Sequence, residues 1–281
     1  MRTSRFLVER IMSFNVFGCP MSSLITHKDI LANKSKEPTA YRSCGIWIQA
    51  SYINHSCTSN AHRAFIGDMM IVRASQDLEP GTEITFWYQI PADGTVKKDL
   101  QEGFKNWEFV CDCAICQDAK ETKAAVVAER KKLSERMQRV CNSSAPNNVL
   151  IDKTERLLTA LNKTYTQPPD QVPRLSLWEP QLMLARIFVA HNNMNKCLEA
   201  IGKVLTTLGF IVVGADSSSA SFRVVKWGVV MDHLVEAFLH ARTAFEAIGA
   251  WEDSRRAEEY AKVTYSIAVG ESASFESTHG R

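Results

Sequence analysis

The chain has 281 residues, with 33 Lys and Arg against 31 Asp and Glu for a formal charge of +2, and it is 45% hydrophobic and 23% charged. That is ordinary globular composition, which excludes a fibrous or largely disordered chain, and the near-neutral balance makes nucleic acid and acidic membrane unlikely partners. No window approaches the roughly eighteen uninterrupted apolar residues of a membrane span, and the apolar start at Phe6-Leu7-Val8 is broken by Glu9-Arg10; the sequence therefore reads as intracellular, in nucleus or cytoplasm, with no membrane partner.

Residues 1–45 carry few local signals, and the polar stretch from Thr26 to Arg42 reads as an irregular loop or insert. From Gly45 to Tyr88 short apolar runs alternate with turns. His62–Ile66 and Met69–Ala74 flank Gly67-Asp68, a hairpin signature, and Pro80-Gly81 turns the chain into Glu83–Tyr88, giving a small β meander. Beyond Lys120 the period becomes helical. Helices are expected over 120–140 and 150–161, then from a capping box at Ser176-x-x-Glu179 to about His191. Further helices are expected over 195–208, 227–248 and 251–269, the last two stopped by Gly249 and Gly270. The two helix-loop-helix pairs suggest a stacked, tetratricopeptide-like array, with Trp178, Phe188, Phe238 and Trp251 mainly buried. The fold class is α+β: a small β-rich part followed by an all-α helical-repeat region.

Eight cysteines occur, and Cys111, Cys113 and Cys116 fall within six residues. C-x-C-x-x-C spacing lets three thiols converge on one tetrahedral Zn²⁺, leaving one corner for a ligand from elsewhere. Asn54-His55-Ser56-Cys57 is a weaker signal, since a buried Asn-His pair serves a core contact as well as a site. The helix over 120–140 carries seven Lys or Arg, which reads as a solvated face ahead of a nucleic-acid surface.

Asn-His-Ser-Cys, then the β segment ending Ile84-Thr85-Phe86-Trp87-Tyr88, then C-x-C-x-x-C, resembles the C-terminal half of a SET domain with its post-SET zinc motif. The SET-and-MYND branch and fungal SET proteins with helical repeats are most similar. The resemblance implies an S-adenosylmethionine-dependent protein-lysine N-methyltransferase, with a histone or non-histone protein as partner. It implies that Asn54 and His55 bind the cofactor, that Tyr88 is catalytic, and that Phe109 covers the adenine. It also implies Cys57 as the fourth ligand of a structural Zn²⁺ with Cys111, Cys113 and Cys116. Core packing would explain Phe109 and Trp107 equally well on periodicity alone, and Trp87 reads equally as channel wall or core. The implied organisation is an insert-like segment 1–43, the SET C-terminal half 44–90, the zinc motif 91–118 and the helical region 119–281.

The attack implied is a neutral lysine amine on a sulfonium methyl. With a pKa near 10.4, lysine needs about 4.6 kcal/mol to present its neutral form at pH 7. The chain departs from the family in having no Gly-x-Gly turn and no MYND motif, so a truncated domain with weak activity is expected. The alternative is a non-catalytic interaction module, a zinc-stiffened half-domain on a helical scaffold.

Overall fold

The protein is described by a computed structural model covering residues 5–20, 22–32, 41–88, 104, 107, 109–215 and 220–280. Its N-terminal part is more regular than expected: α1 (Arg5–Asn15), β1 (Phe17–Pro20), α2 (Ser23–Leu31) and β2 (Tyr41–Gly45). β1 pairs antiparallel with β2, Phe17 opposite Gly45. A pairing between strands so far apart leaves no local pattern. α2 does have a local start signal, because the Ser22 hydroxyl accepts the Ile25 N–H at 3.1 Å.

β4 (Ala61–Ile66) and β5 (Met69–Ala74) form the expected hairpin, Ile66 opposite Met69, with Gly67 at φ 61° in the turn. The third strand does not continue a meander. β6 (Thr85–Phe86) leaves β5 and pairs in parallel with β3 (Asn54–His55), Asn54 opposite Thr85 and His55 opposite Phe86. Asn60 directs this route: its side-chain oxygen accepts the Thr85 N–H at 2.8 Å and its amide donates to the Glu83 carbonyl at 2.9 Å.

The helix expected over 120–140 is two helices, α3 (Ala114–Glu121) and α4 (Ala124–Cys141), broken by extended backbone at Thr122 and Lys123. Asp118 and Arg130 would lie about 18 Å apart along one straight helix, yet Arg130 donates to the Asp118 carboxylate at 2.6 Å. Folding back lets Arg130, 2% exposed, leave the expected solvated face for the interior.

α5 (Asn147–Asn162), α6 (Trp178–Ala190), α7 (Met194–Thr207), α8 (Leu234–Ala247), α9 (Trp251–Val269) and the short α10 (Phe275–His279) complete the helical region. The capping box is not formed. Leu177 occupies the cap position of α6, without a side-chain bond. Asn193 does cap α7, accepting from the Lys196 N–H. The segment before α8 is not helical, since Val229 N–H donates to the Leu208 carbonyl at 2.8 Å and holds the chain across the end of α7. A β-branched hairpin, β7 (Ile211–Val213) with β8 (Arg223–Lys226), interrupts the region expected to be all-α. It is seated by Phe222, fully buried and 5.2 Å from the Phe245 ring. Phe188 and Phe238 are buried as expected, Trp178 is half-buried, and Trp251 is 66% exposed because it opens α9 facing water.

The two parts meet where α9 ends on the hairpin. A side chain at Gly270, φ 90°, would place its Cβ 2.9 Å from the Ala64 Cβ, so this close approach requires glycine.

Candidate active site and metal centre

The parallel pairing of β3 with β6 brings Asn54 and His55 beside Tyr88, thirty-odd residues later in the chain. The Tyr88 N–H donates to His55 Nδ1 at 3.1 Å, so that nitrogen is the acceptor and the ring proton sits on Nε2. Nε2 in turn lies 3.4 Å from the Cys57 sulfur. His55 therefore bridges the Tyr88 backbone and the cysteine cluster. The Tyr88 hydroxyl donates to the Ile53 carbonyl at 3.0 Å, fixing its direction. Burial pushes the Tyr88 phenol above its ordinary value, against a smaller opposing pull from Arg63, so the group stays protonated at neutral pH.

Aromatic rings close round this pair. Phe104 lies 4.3 Å and Phe109 6.0 Å from the His55 ring, while Trp107 and Phe109 stand 5.5 and 6.0 Å from Tyr88. Asn54 is exposed, its amide donating to the Glu83 carboxylate at 2.7 Å. The Trp87 indole N–H donates to the Cys57 carbonyl at 2.9 Å, and Arg63 donates to the Trp87 carbonyl. A cavity of about 150 Å³ opens beside Tyr88, walled by Phe14, Val16, Phe17, Ile53 and Trp107. A larger one of about 460 Å³ lies between Phe86 and Trp87 on one side and Trp178 and His233 of the helical region on the other.

Cys57, Cys111, Cys113 and Cys116 gather with every sulfur within 4.8 Å of the others. Zinc–sulfur bonds of about 2.3 Å put tetrahedral sulfurs about 3.8 Å apart, and Cys57 and Cys116 stand 3.7 Å apart. The donor set thus fits one Zn²⁺. Contacts among the thiols, first with Cys111, hold Cys57 and Cys116 far above the ordinary thiol range; contact first with Cys113 drives Cys111 far below it. Four sulfurs this close cannot all be thiolates unless a cation lies between them.

The candidates gather about His55: the Tyr88 and Phe109 rings stand near its ring, Asn54 adjoins it in β3 with its side chain turned to Glu83, and Cys57 at its Nε2 leads to the other three cysteines. Asn60, Glu83, Arg63 and Phe104 were missed. Arg63, the one full charge in β4, was the legible one.

Residues 16–89 match the family model described as "SET domain"; the match takes in residues 16–43 as well. A protein named "Methyltransferase" from Gibberella zeae is 35% identical over 274 residues, 95% of this chain and 37% of its own length. "Histone-lysine N-methyltransferase SMYD3" from Homo sapiens is 33% identical over 75 residues, 26% of this chain and 17% of its own. "Histone-lysine N-methyltransferase ASHR1" from Arabidopsis thaliana is 37% identical over 76 residues, 26% of this chain and 15% of its own. The chain thus spans well under half the length of these relatives. Among the described residues, no helix is long and apolar enough to cross a membrane.

Proposed function

We propose, from the premise that the chain carries a SET domain over residues 16–89 and resembles the SET-and-MYND type of methyltransferase, that it is an S-adenosylmethionine-dependent protein-lysine N-methyltransferase. The observation that carries this reading is the bridge through His55, which ties Tyr88 on one side to Cys57 on the other. The residues suit such a cofactor. Phe109 beside His55 would offer an aromatic face for the adenine, and the exposed Asn54 a polar side chain next to His55 in the chain.

The bound cofactor would supply the electrophilic methyl group, and the remaining work falls to the chain. Tyr88, kept protonated and held on the Ile53 carbonyl, presents its oxygen at a fixed place. An amine in the adjoining cavity can then be aligned for displacement, so positioning contributes more than proton transfer. The rings of Phe14, Phe17 and Trp107 stand in the cavity wall beside Asn15, Ser51 and Arg63, and an amine buried against those rings would favour its neutral form over the ammonium. The four cysteines, closing a tetrahedron with no open position, would hold Zn²⁺ structurally and fix Phe104 and Phe109 against His55.

The helix pairs α6–α7 and α8–α9 we read as tetratricopeptide-like packing that presents a histone or other protein substrate inside the cell, in nucleus or cytoplasm.

Calorimetric titration with S-adenosylmethionine tests the reading. One saturable site, lost in Asn54→Ala/His55→Ala, is expected. A zinc-loaded chain that binds no cofactor would instead be the interaction module.

A further inference from the structure

The ladder between β3 and β6 ends with His55 opposite Phe86, so Tyr88 stands two residues beyond the last backbone pair. Its N–H would be an orphan donor there. The His55 ring accepts it at Nδ1, 3.1 Å away, which leaves the ring proton on Nε2. That proton faces sulfur: Cys57 is fully buried with its Sγ 3.4 Å from Nε2, and the same ring also interacts with Cys111. A second contact runs in parallel, since the Trp87 indole donates to the Cys57 carbonyl at 2.9 Å. Residues 87 and 88 are thus held from the cysteine centre at two points.

We propose that His55 is a positioning residue between the metal centre and Tyr88: its Nε2–H hydrogen-bonds to the Cys57 thiolate, supports the four-cysteine centre from outside it, and makes the seat of Tyr88 depend on whether that centre is loaded. The catalytic meaning of this coupling rests on the methyltransferase reading; the hydrogen bond does not.

A thiolate keeps its negative charge and lone pairs when it ligates a cation, so an N–H aimed at it makes a charge-assisted bond. A thiol is only a weak acceptor, and its own hydrogen has neighbouring sulfurs to turn to, all within 4.8 Å. Losing the metal therefore removes the acceptor that orients the ring, and with it the fixed acceptor for the Tyr88 N–H. The Phe104 and Phe109 rings, 4.3 and 6.0 Å from that of His55, pack against it but offer its proton no oxygen or nitrogen. Outer partners of this kind contribute about 10–100-fold to metal affinity.

Two substitutions divide the two roles of the ring. His55→Gln places an amide N–H near the position of Nε2 and gives up the acceptor for Tyr88, whereas His55→Asn keeps an acceptor near the position of Nδ1 and gives up the donor to sulfur. Zinc affinity, measured by competition with a chromophoric chelator, should fall about tenfold or more in His55→Asn and stay within about threefold of the natural chain in His55→Gln. With fluorotyrosine at position 88, the ¹⁹F signal of the natural chain should shift when zinc is withdrawn and return when it is restored, and in His55→Gln that response should shrink. A further readout needs no substitution: in the chain loaded with ¹¹³Cd, spin coupling between the metal and the His55 Nε2 proton is expected across the N–H···S bond. Full zinc affinity in His55→Asn without that coupling, or a ¹⁹F signal indifferent to zinc in the natural chain, overturns the inference. A signal that follows zinc in a chain that methylates no lysine peptide upholds the role of His55 and overturns the methyltransferase reading instead.

Discussion

Replacing Arg130 with Met should cost more stability than any surface change, because α3 and the cysteine cluster are held to the helical region through it. The guanidinium donates to Asp118 of α3 at 2.6 Å, to the Thr164 hydroxyl at 3.0 Å and to the Thr164 carbonyl at 2.8 Å. It also stacks 3.7 Å from the Tyr165 ring centre. Both members of the ion pair are dry, with side chains 3% and 7% exposed. Methionine fills much of the volume but leaves the Asp118 carboxylate buried without its cation, a loss of about 3–5 kcal/mol. For a chain of this size that lowers Tm by about 2–4 °C per kcal/mol, roughly 8–16 °C for a 4 kcal/mol loss. Thermal unfolding of Arg130→Met, Asp118→Leu and the double variant measures it. The double variant should regain at least about 2 kcal/mol over the sum of the singles, since no charge is left stranded. A single-variant loss under about 1 kcal/mol, or strict additivity, would refute the reasoning.

Cys57→Ser should lower bound zinc below one per chain by elemental analysis and loosen His55, its neighbour at 3.4 Å; full retention of zinc would remove Cys57 from the ligand set. Gly270→Ala should destabilise by about 1–3 kcal/mol in chemical unfolding, because it combines a left-handed φ of 90° with a Cβ 2.9 Å from Ala64. Stability should fall as pH drops from about 6.5 toward 4. Burial first, then the charge of His27, pushes His279 down to about 4, and the two rings touch at 3.1 Å. The unfolded chain thus binds the extra proton in that window, so His279→Gln should flatten the curve there, and an unchanged slope would exclude His279 as the cause.

What was legible in the sequence were features set by neighbours along the chain. Gly67-Asp68 defined a hairpin, and Gly270 ended α9 where its left-handed φ requires. Cys57 joined the other three cysteines only through the resemblance, since no spacing rule links residues 57 and 111. Pairings across distance were not legible. Phe17 meets Gly45, and Asn54 meets Thr85, through strands too short to show a period of two. The break at Thr122-Lys123 escaped because Lys120, Lys123 and Glu121 are all good helix formers; the tertiary bond between Asp118 and Arg130 overrides their propensity. Trp251 was misplaced because an aromatic at the first position of a helix need not share the buried face of the turns that follow.

The proposed function is methyl transfer to lysine by the residues gathered round His55. Its most direct test is mass spectrometry of lysine peptides and histones incubated with the chain and S-adenosylmethionine, alongside Tyr88→Phe. That variant keeps the rings at His55, Trp107 and Phe109 and loses only the hydroxyl held by Ile53. The account predicts methylated lysine with the natural chain, and a lower kcat at nearly unchanged cofactor affinity in the variant. No methylated lysine on any substrate, or a variant that turns over at the natural rate, would contradict it.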